Sequence, residues 1–133
     1  MSGKDPLVSV IMPAYNVEKY IGEAIESILD QTFTDFEFII IDDASTDGTW
    51  EIIQDYAQRD GRILSFRNES NQKISRTLNK GIAVARGKYV ARMDADDWSY
   101  PDRIEKQVNF MENHPEVVVS GGAMEVCDID LVL

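Results

Sequence analysis

A chain of 133 residues suits one domain built around one buried core. Its 44% apolar and 28% charged fractions match an ordinary globule and argue against disorder, and no apolar run approaches the roughly 18 residues of a membrane span. With 13 basic against 24 acidic residues the net charge is −11, which disfavours a nucleic-acid binder gripping phosphates with a basic face.

An anionic nucleotide would therefore need a cation between it and these carboxylates, and a divalent metal is the simple choice. No apolar stretch precedes a cleavage site in residues 1–5, so no secretory signal is expected. Cys127 stands alone and forms no intrachain disulfide, which fits a reducing compartment.

Strand and helix patterns alternate along the chain. Residues 7–12 form a β-branched run stopped by Pro13, which predicts a buried first strand. A helix is expected from about Val17 with Asn16 as N-cap, because Ile21, Ala24, Ile25, Ile28 and Leu29 recur at helical spacing. Residues 36–41 predict a second strand, apolar except for Glu37. Ser45-Thr46-Asp47-Gly48 then supplies turn and cap chemistry ahead of a helix bearing Trp50, Ile53 and Ala57. Residues 63–67 read as a shorter third strand. A third helix is expected over 75–86, with Leu78, Ile82 and Ala85 inward and Gly87 as its stop. Residues 89–93 predict a fourth strand ending at Asp94. Pro101 suits the first turn of a fourth helix carrying Ile104, Val108 and Met111. Residues 117–119 predict a fifth strand.

This alternation implies a three-layer α/β/α, Rossmann-like domain over residues 1–133, with a mostly parallel sheet ordered 3-2-1-4 plus a further strand. Ligands of such sheets bind beyond the carboxyl ends of the strands, where strand order reverses. That crevice lies between strands one and four, so Pro13-Ala14-Tyr15-Asn16, Asp42-Asp43 and Asp94-Ala95-Asp96-Asp97 are expected to converge on one edge.

The 94–97 segment places three carboxylates within four residues, an arrangement that repels itself unless solvated or sharing a cation. Hard oxygen ligands suit magnesium, manganese or calcium rather than zinc. A magnesium-like ion takes one or two protein carboxylates and completes its shell with phosphate oxygens and water. An EF-hand loop does not fit, since no midway glycine follows Asp94. Asp42 or Asp43 is suited to accept from a base or ribose, or else to close a turn. Tyr15 either stacks on a base or covers the core edge. Arg76, near a helix start, is placed to reach a phosphate. Trp98 is expected to pack its loop rather than bind sugar, with a wall beside the metal as the other reading, and His114 reads as a helix-end residue.

Taken together, the stretches VSVIMPAYN, ESILDQTFTDFEFIIIDDASTDGT, LNKGIAVARGKYVARMDADD and PDRIEKQVNFMENHP resemble the family-2 glycosyltransferases, whose nucleotide-binding lobe has the GT-A fold. The last two look most like members that build bacterial capsule or lipopolysaccharide. The resemblance implies that Pro13, Ala14, Tyr15 and Glu18 line the nucleotide base pocket and that Asp43 bonds uracil. Asp94-Ala95-Asp96 matches the family's Asp-x-Asp motif, with Asp96 against ribose or metal and Asp97 a rival metal ligand for Mn2+ or Mg2+. Two departures stand out. Lys73 occupies a position where many members carry glycine, and Leu78-Asn79 replaces a common Arg-Asn pair, so phosphate contact by an arginine there is not carried over.

The implied reaction moves a sugar from a nucleotide diphosphate-sugar, of which a UDP-sugar is favoured, to an acceptor hydroxyl with inversion. The acceptor is a saccharide or lipid-linked saccharide, and the expected location is the cytoplasm or the inner face of the membrane. The catalytic base is expected downstream of Leu133 and is left unassigned. The isolated chain is accordingly expected to bind donor, to transfer poorly, and to form a homodimer through an uncovered sheet edge. A non-catalytic nucleotide-sugar-binding fragment is the alternative. A receiver domain fits less well, because its paired acids belong after strand one, where Pro13-Ala14 stand.

Overall fold

The computed structural model describes residues 4–116. The four strands are β1 (Val8–Ala14), β2 (Phe36–Asp42), β3 (Ile63–Arg67) and β4 (Tyr89–Arg92), and they form one sheet of order β3-β2-β1-β4. All three pairings are parallel: Val8 to Ala14 lie opposite Phe36 to Asp42, Phe38 to Asp42 opposite Ile63 to Arg67, and Val8 to Ile11 opposite Tyr89 to Arg92. The expected order 3-2-1-4 is therefore the observed one. The expected fifth strand at 117–119 lies outside the described residues.

Helices α1 (Ile21–Leu29), α2 (Thr49–Arg59), α3 (Lys73–Val84) and α4 (Arg103–Asn113) complete the alternation. The strand period of two divides the core between the sheet's faces. Val8, Val10, Met12 and Ala14 of β1 and Phe36, Phe38 and Ile40 of β2 pack with Ile21, Ile25, Ile28, Ile53, Ile104 and Val108, so α1, α2 and α4 share one face. Ile11, Ile39 and Ile41 face the other way and pack with Leu64, Phe66, Leu78 and Ala85, on the side of α3. The third crossover runs opposite to the first two along the sheet, and right-handed connections then send α3 to the opposite face.

Two sequence expectations are corrected. Asn16 does not cap α1, which begins at Ile21 behind a turn closed by Tyr20 and Ile21 N–H groups on the Val17 carbonyl. Asn16 instead adopts φ 51°, and its side chain faces the loop after β2. The third helix starts at Lys73 and ends at Val84, and Ile82 is 53% exposed rather than inward. Thr77 and Gly81 are the residues it buries. A Cβ at Gly81 would lie 2.6 Å from Ile11 Cγ2, so the missing side chain draws α3 against the sheet and rotates Ile82 about 100° away.

Glu37, the charge inside β2 ahead of the terminal Asp42, shares the α3 face and sits opposite Ser9 in register. It is 3% exposed and accepts hydrogen bonds from the Ser9 hydroxyl at 2.6 Å and the Arg86 N–H at 2.7 Å, with the Arg86 guanidinium at 3.0 Å. Burial pushes its carboxyl up, but the Ser9 and Arg86 hydrogen bonds and the Arg86 charge outweigh this and hold it below the usual glutamate range. Such a group stabilises the fold above its unfolded value, and the contribution is lost as pH falls through the lower folded value. Glu37→Gln is therefore expected to cost about 1–3 kcal/mol at neutral pH. In urea melts from pH 7 to pH 3 the gap to the unaltered chain should close on the acid side; a gap that stays constant contradicts this account.

Candidate nucleotide and metal site

The parallel register sets the carboxyl ends of β1 and β2 level, with Ala14 opposite Asp42, and the Asp43 N–H donates to the Ala14 carbonyl at 2.8 Å. The loops beyond are stitched together. The Asn16 N–H donates to Ser45 Oγ at 2.9 Å, and the Thr46 N–H donates to Asn16 Oδ1 at 2.8 Å. Left-handed backbone suits asparagine better than most residues, so this position accommodates it at low cost. The Val17 N–H reaches Thr49 Oγ1 at 2.9 Å, while Glu18 Oε1 accepts from the Gly48 N–H at 2.6 Å. Of the residues assigned to the base pocket, Glu18 thus ties the two loops together, Pro13 and Ala14 form the strand tip, and Tyr15 is 47% exposed beside them.

The two acids after β2 have separate tasks. Asp42 is fully buried, pairs with Arg67 Nε at 3.2 Å and accepts from the Ser45 N–H and hydroxyl. Asp43 is 5% exposed rather than merely solvated. Its Oδ1 accepts from Asn68 Nδ2 at 2.8 Å and the Gln72 N–H at 2.7 Å, and its Oδ2 accepts from the Lys73 N–H at 3.0 Å. A carboxylate offers about four acceptor positions, so one on Oδ2 is left for a further donor. Asp43 folds the 68–73 loop over the strand tips, with Lys73 at φ 70°. That left-handed conformation is the one glycine adopts most cheaply.

Arg76 is exposed and has no partner among the described residues. It lines a cavity of about 330 Å³ with Asn68, Glu69, Ser70, Gln72 and Lys80. Lys80 Nζ donates to Asn68 Oδ1 at 2.7 Å, which connects this cavity to the partners of Asp43. None of its walls comes from the β1 tip or from residues 94–97, so it lies beside the expected crevice rather than in it.

The acidic turn reaches that crevice through one hydrogen bond. The Met93 N–H donates to the Ile11 carbonyl at 3.0 Å, extending the β1–β4 ladder and delivering the turn to the tip of β1. The Asp97 N–H donates to the Asp94 carbonyl at 3.1 Å and closes the turn, with Ala95 buried beneath it. Asp94 accepts from Arg92 at 3.1 and 3.2 Å, while Asp96 is exposed and Asp97 half-buried. Partial burial and the neighbouring Asp94 and Asp96 charges hold the Asp97 carboxyl above the usual aspartate range, against the opposing Arg103 and Arg92. Among the described residues no three His, Cys, Asp or Glu side chains are arranged to hold a metal by themselves. The donor set is one of hard carboxylate oxygens, which suits an ion that completes its shell with phosphate oxygens and water.

Several site residues escaped the sequence reading. Asn68, Gln72 and Arg92 hold Asp43 and Asp94, yet only Arg92, polar at the end of an apolar strand, left a visible signal.

The sequence model of glycosyl transferase family 2 matches residues 9–130. The chain belongs to glycosyl transferase family 2. TuaG of Bacillus subtilis (strain 168), whose name assigns it to teichuronic acid biosynthesis as a glycosyltransferase, is 45% identical over 111 residues, which is 84% of this chain and 44% of TuaG. S. aureus TarS in complex with UDP-GlcNAc is 32% identical with a TM-score of 0.76, over 81% of this chain and 32% of TarS. The mannosyltransferase PcManGT of Pyrobaculum calidifontis, in complex with GDP-Man and Mn2+, is 27% identical with a TM-score of 0.74, over 82% of this chain and 33% of that one. The chain therefore spans less than half the length of these proteins, and the described sheet is that of a GT-A glycosyltransferase.

Proposed function

We propose that this family-2 chain forms the donor-binding part of an enzyme that moves a sugar from a UDP-sugar to an acceptor hydroxyl with inversion. The acceptor is a saccharide or lipid-linked saccharide of a bacterial surface polysaccharide, used in the cytoplasm or at the inner face of the membrane. The observation that supports this reading is the Met93–Ile11 hydrogen bond, which carries the pairing of β4 with β1 past Arg92 into the 94–97 turn, on the same side of the sheet end as the Asp43 that follows β2.

In this reading Pro13, Ala14, Tyr15 and Glu18 border the base, and the remaining Oδ2 acceptor of Asp43 takes the uracil N–H. Asp94 and Asp96 border the ribose and diphosphate, and Arg76, from the adjoining cavity, is the arginine that would have to reach across to a phosphate. Asp96 and Asp97 are the residues to hold Mn2+ or Mg2+, which when bound neutralises the leaving diphosphate. The Asp96 and Asp97 charges alone would repel that diphosphate, so binding should depend on the cation. Two features support the reading: TarS is solved with UDP-GlcNAc and PcManGT with Mn2+. TuaG's name supports a surface-polymer product.

Titration calorimetry of the chain with UDP tests this. Binding is expected with manganese present and at least tenfold weaker with EDTA. Equal affinity in both conditions refutes the metal-bridged site.

A further inference from the structure

The loop after the acidic turn leaves two large aromatic rings in solvent. Trp98 is 57% and Tyr100 66% exposed, and the rings meet edge to face with centroids 5.1 Å apart. The backbone beneath them is fastened. Ser99, between the two, is 5% exposed; its N–H donates to Ser27 Oγ at 3.1 Å and its hydroxyl is directed at Met93 Sδ at 3.3 Å. Arg103 Nη1 donates to Ser99 Oγ at 3.1 Å, and Gln31 Nε2 donates to the Tyr100 carbonyl at 2.6 Å. The Pro101 carbonyl accepts from the Thr32 N–H at 2.8 Å. Contacts from α1, the loop after it and α4 therefore fix the loop with Ser99 inward, and alternation turns the residues on either side outward.

Aromatic faces left in water forgo the burial that such rings normally supply, and the fastened backbone beneath them lowers the ordering cost of receiving a ligand. The adjoining Asp96 and Asp97 offer hydrogen-bond acceptors and no donors. A pyranose matches both halves of this surface: its C–H face stacks on an aromatic ring, and its hydroxyls donate to carboxylates. An acidic peptide, which brings no cation of its own, would be repelled.

We propose that Trp98 and Tyr100 form a stacking platform for a pyranose ring. This rests on the 94–97 turn being the diphosphate site. A sugar attached to that diphosphate, or an acceptor attacking it, must then lie within about one ring's length of the turn. The platform takes one of these two rings, which share the same chemistry.

Labelling with 5-fluorotryptophan tests the proposal, since the chain has 2 tryptophans and Trp98→Phe assigns their fluorine signals. With manganese present, the Trp98 signal should move further with UDP-glucose, UDP-galactose or UDP-GlcNAc than with UDP if the ring is the donor's. If the ring is the acceptor's, it should move when maltose or chitobiose is added to the UDP complex. Trp98→Ala should weaken the sugar-dependent step roughly tenfold while leaving UDP affinity within about twofold, and Trp98→Phe should restore part of the loss. UDP binding with a Trp98 signal indifferent to every sugar overturns the platform and leaves the donor-site reading standing. Absence of manganese-dependent UDP binding overturns both. A Trp98 signal that moves with protein concentration alone identifies a contact between copies and also overturns it.

Discussion

Asp96→Ala combined with Asp97→Ala should reduce manganese-dependent UDP affinity by roughly two orders of magnitude, about 2.7 kcal/mol. Asp96 is exposed and Asp97 half-buried in the turn that follows the Met93–Ile11 hydrogen bond, so neither carboxylate supports the core. Their loss should not unfold the chain. Asp97 is in fact a burden on the metal-free fold, because partial burial and the Asp94 and Asp96 charges raise its carboxyl above the usual range. An acid raised on folding subtracts stability at neutral pH, and the penalty disappears as pH falls below its unfolded value. Asp97→Asn should therefore melt later than the unaltered chain in EDTA at pH 7, with the advantage gone near pH 3, while binding UDP more weakly. A substitution that weakens both stability and binding would mark Asp97 as structural and remove the case for a cation there.

Among the described glycines, Gly87→Ala should be the most damaging, because the added methyl meets backbone rather than side-chain atoms. Gly87 follows α3 where the chain enters β4, and its N–H donates to Ser9 Oγ at 2.8 Å. An added Cβ would lie 2.6 Å from the Ser9 nitrogen and 2.7 Å from the Val8 carbonyl carbon. Those are backbone atoms of β1, which is hydrogen-bonded to β2 on one side and β4 on the other and has no room to retreat. The cost should be about 2–3 kcal/mol, the upper part of the range for overpacking. Gly61→Ala is the control, since nothing lies within 4 Å of its Cβ position, and it should change stability by no more than about 0.5 kcal/mol. Urea unfolding reads the difference as a lower midpoint with an unchanged slope. Equal midpoints for the two variants would show that β1 yields at this point.

The four described strands, their order and the acidic turn were legible from local patterns. Apolar runs leading to Asp42 and Asp94 mark where β2 and β4 finish, and strand ends are where such sheets bind ligands. Pro13, however, does not stop β1, which continues to Ala14 alongside β2 where the β4 pairing has already ended at Ile11. Local pattern misled at Asn16 and Ile82. An N-cap signature and a helical apolar spacing are both local, but Asn16 was claimed by Ser45 and Thr46 of the loop after β2, and the orientation of Ile82 was set by Gly81 against Ile11. Both partners lie about 30 or more residues away, beyond the reach of any periodicity.

The same division holds for the site. Composition, turn chemistry and strand alternation by themselves determined the fold class and the acidic turn, because each depends on neighbours along the chain. Which of Asp42 and Asp43 is buried in an ion pair and which keeps a free acceptor was decided only when β3 brought Arg67 and Asn68 alongside. The outward display of Trp98 and Tyr100 was decided by Ser27 and Gln31 of a distant helix and its end. Hydrogen bonds and close packing act over a few ångströms in space, and only the folded chain decides which residues fall within that distance.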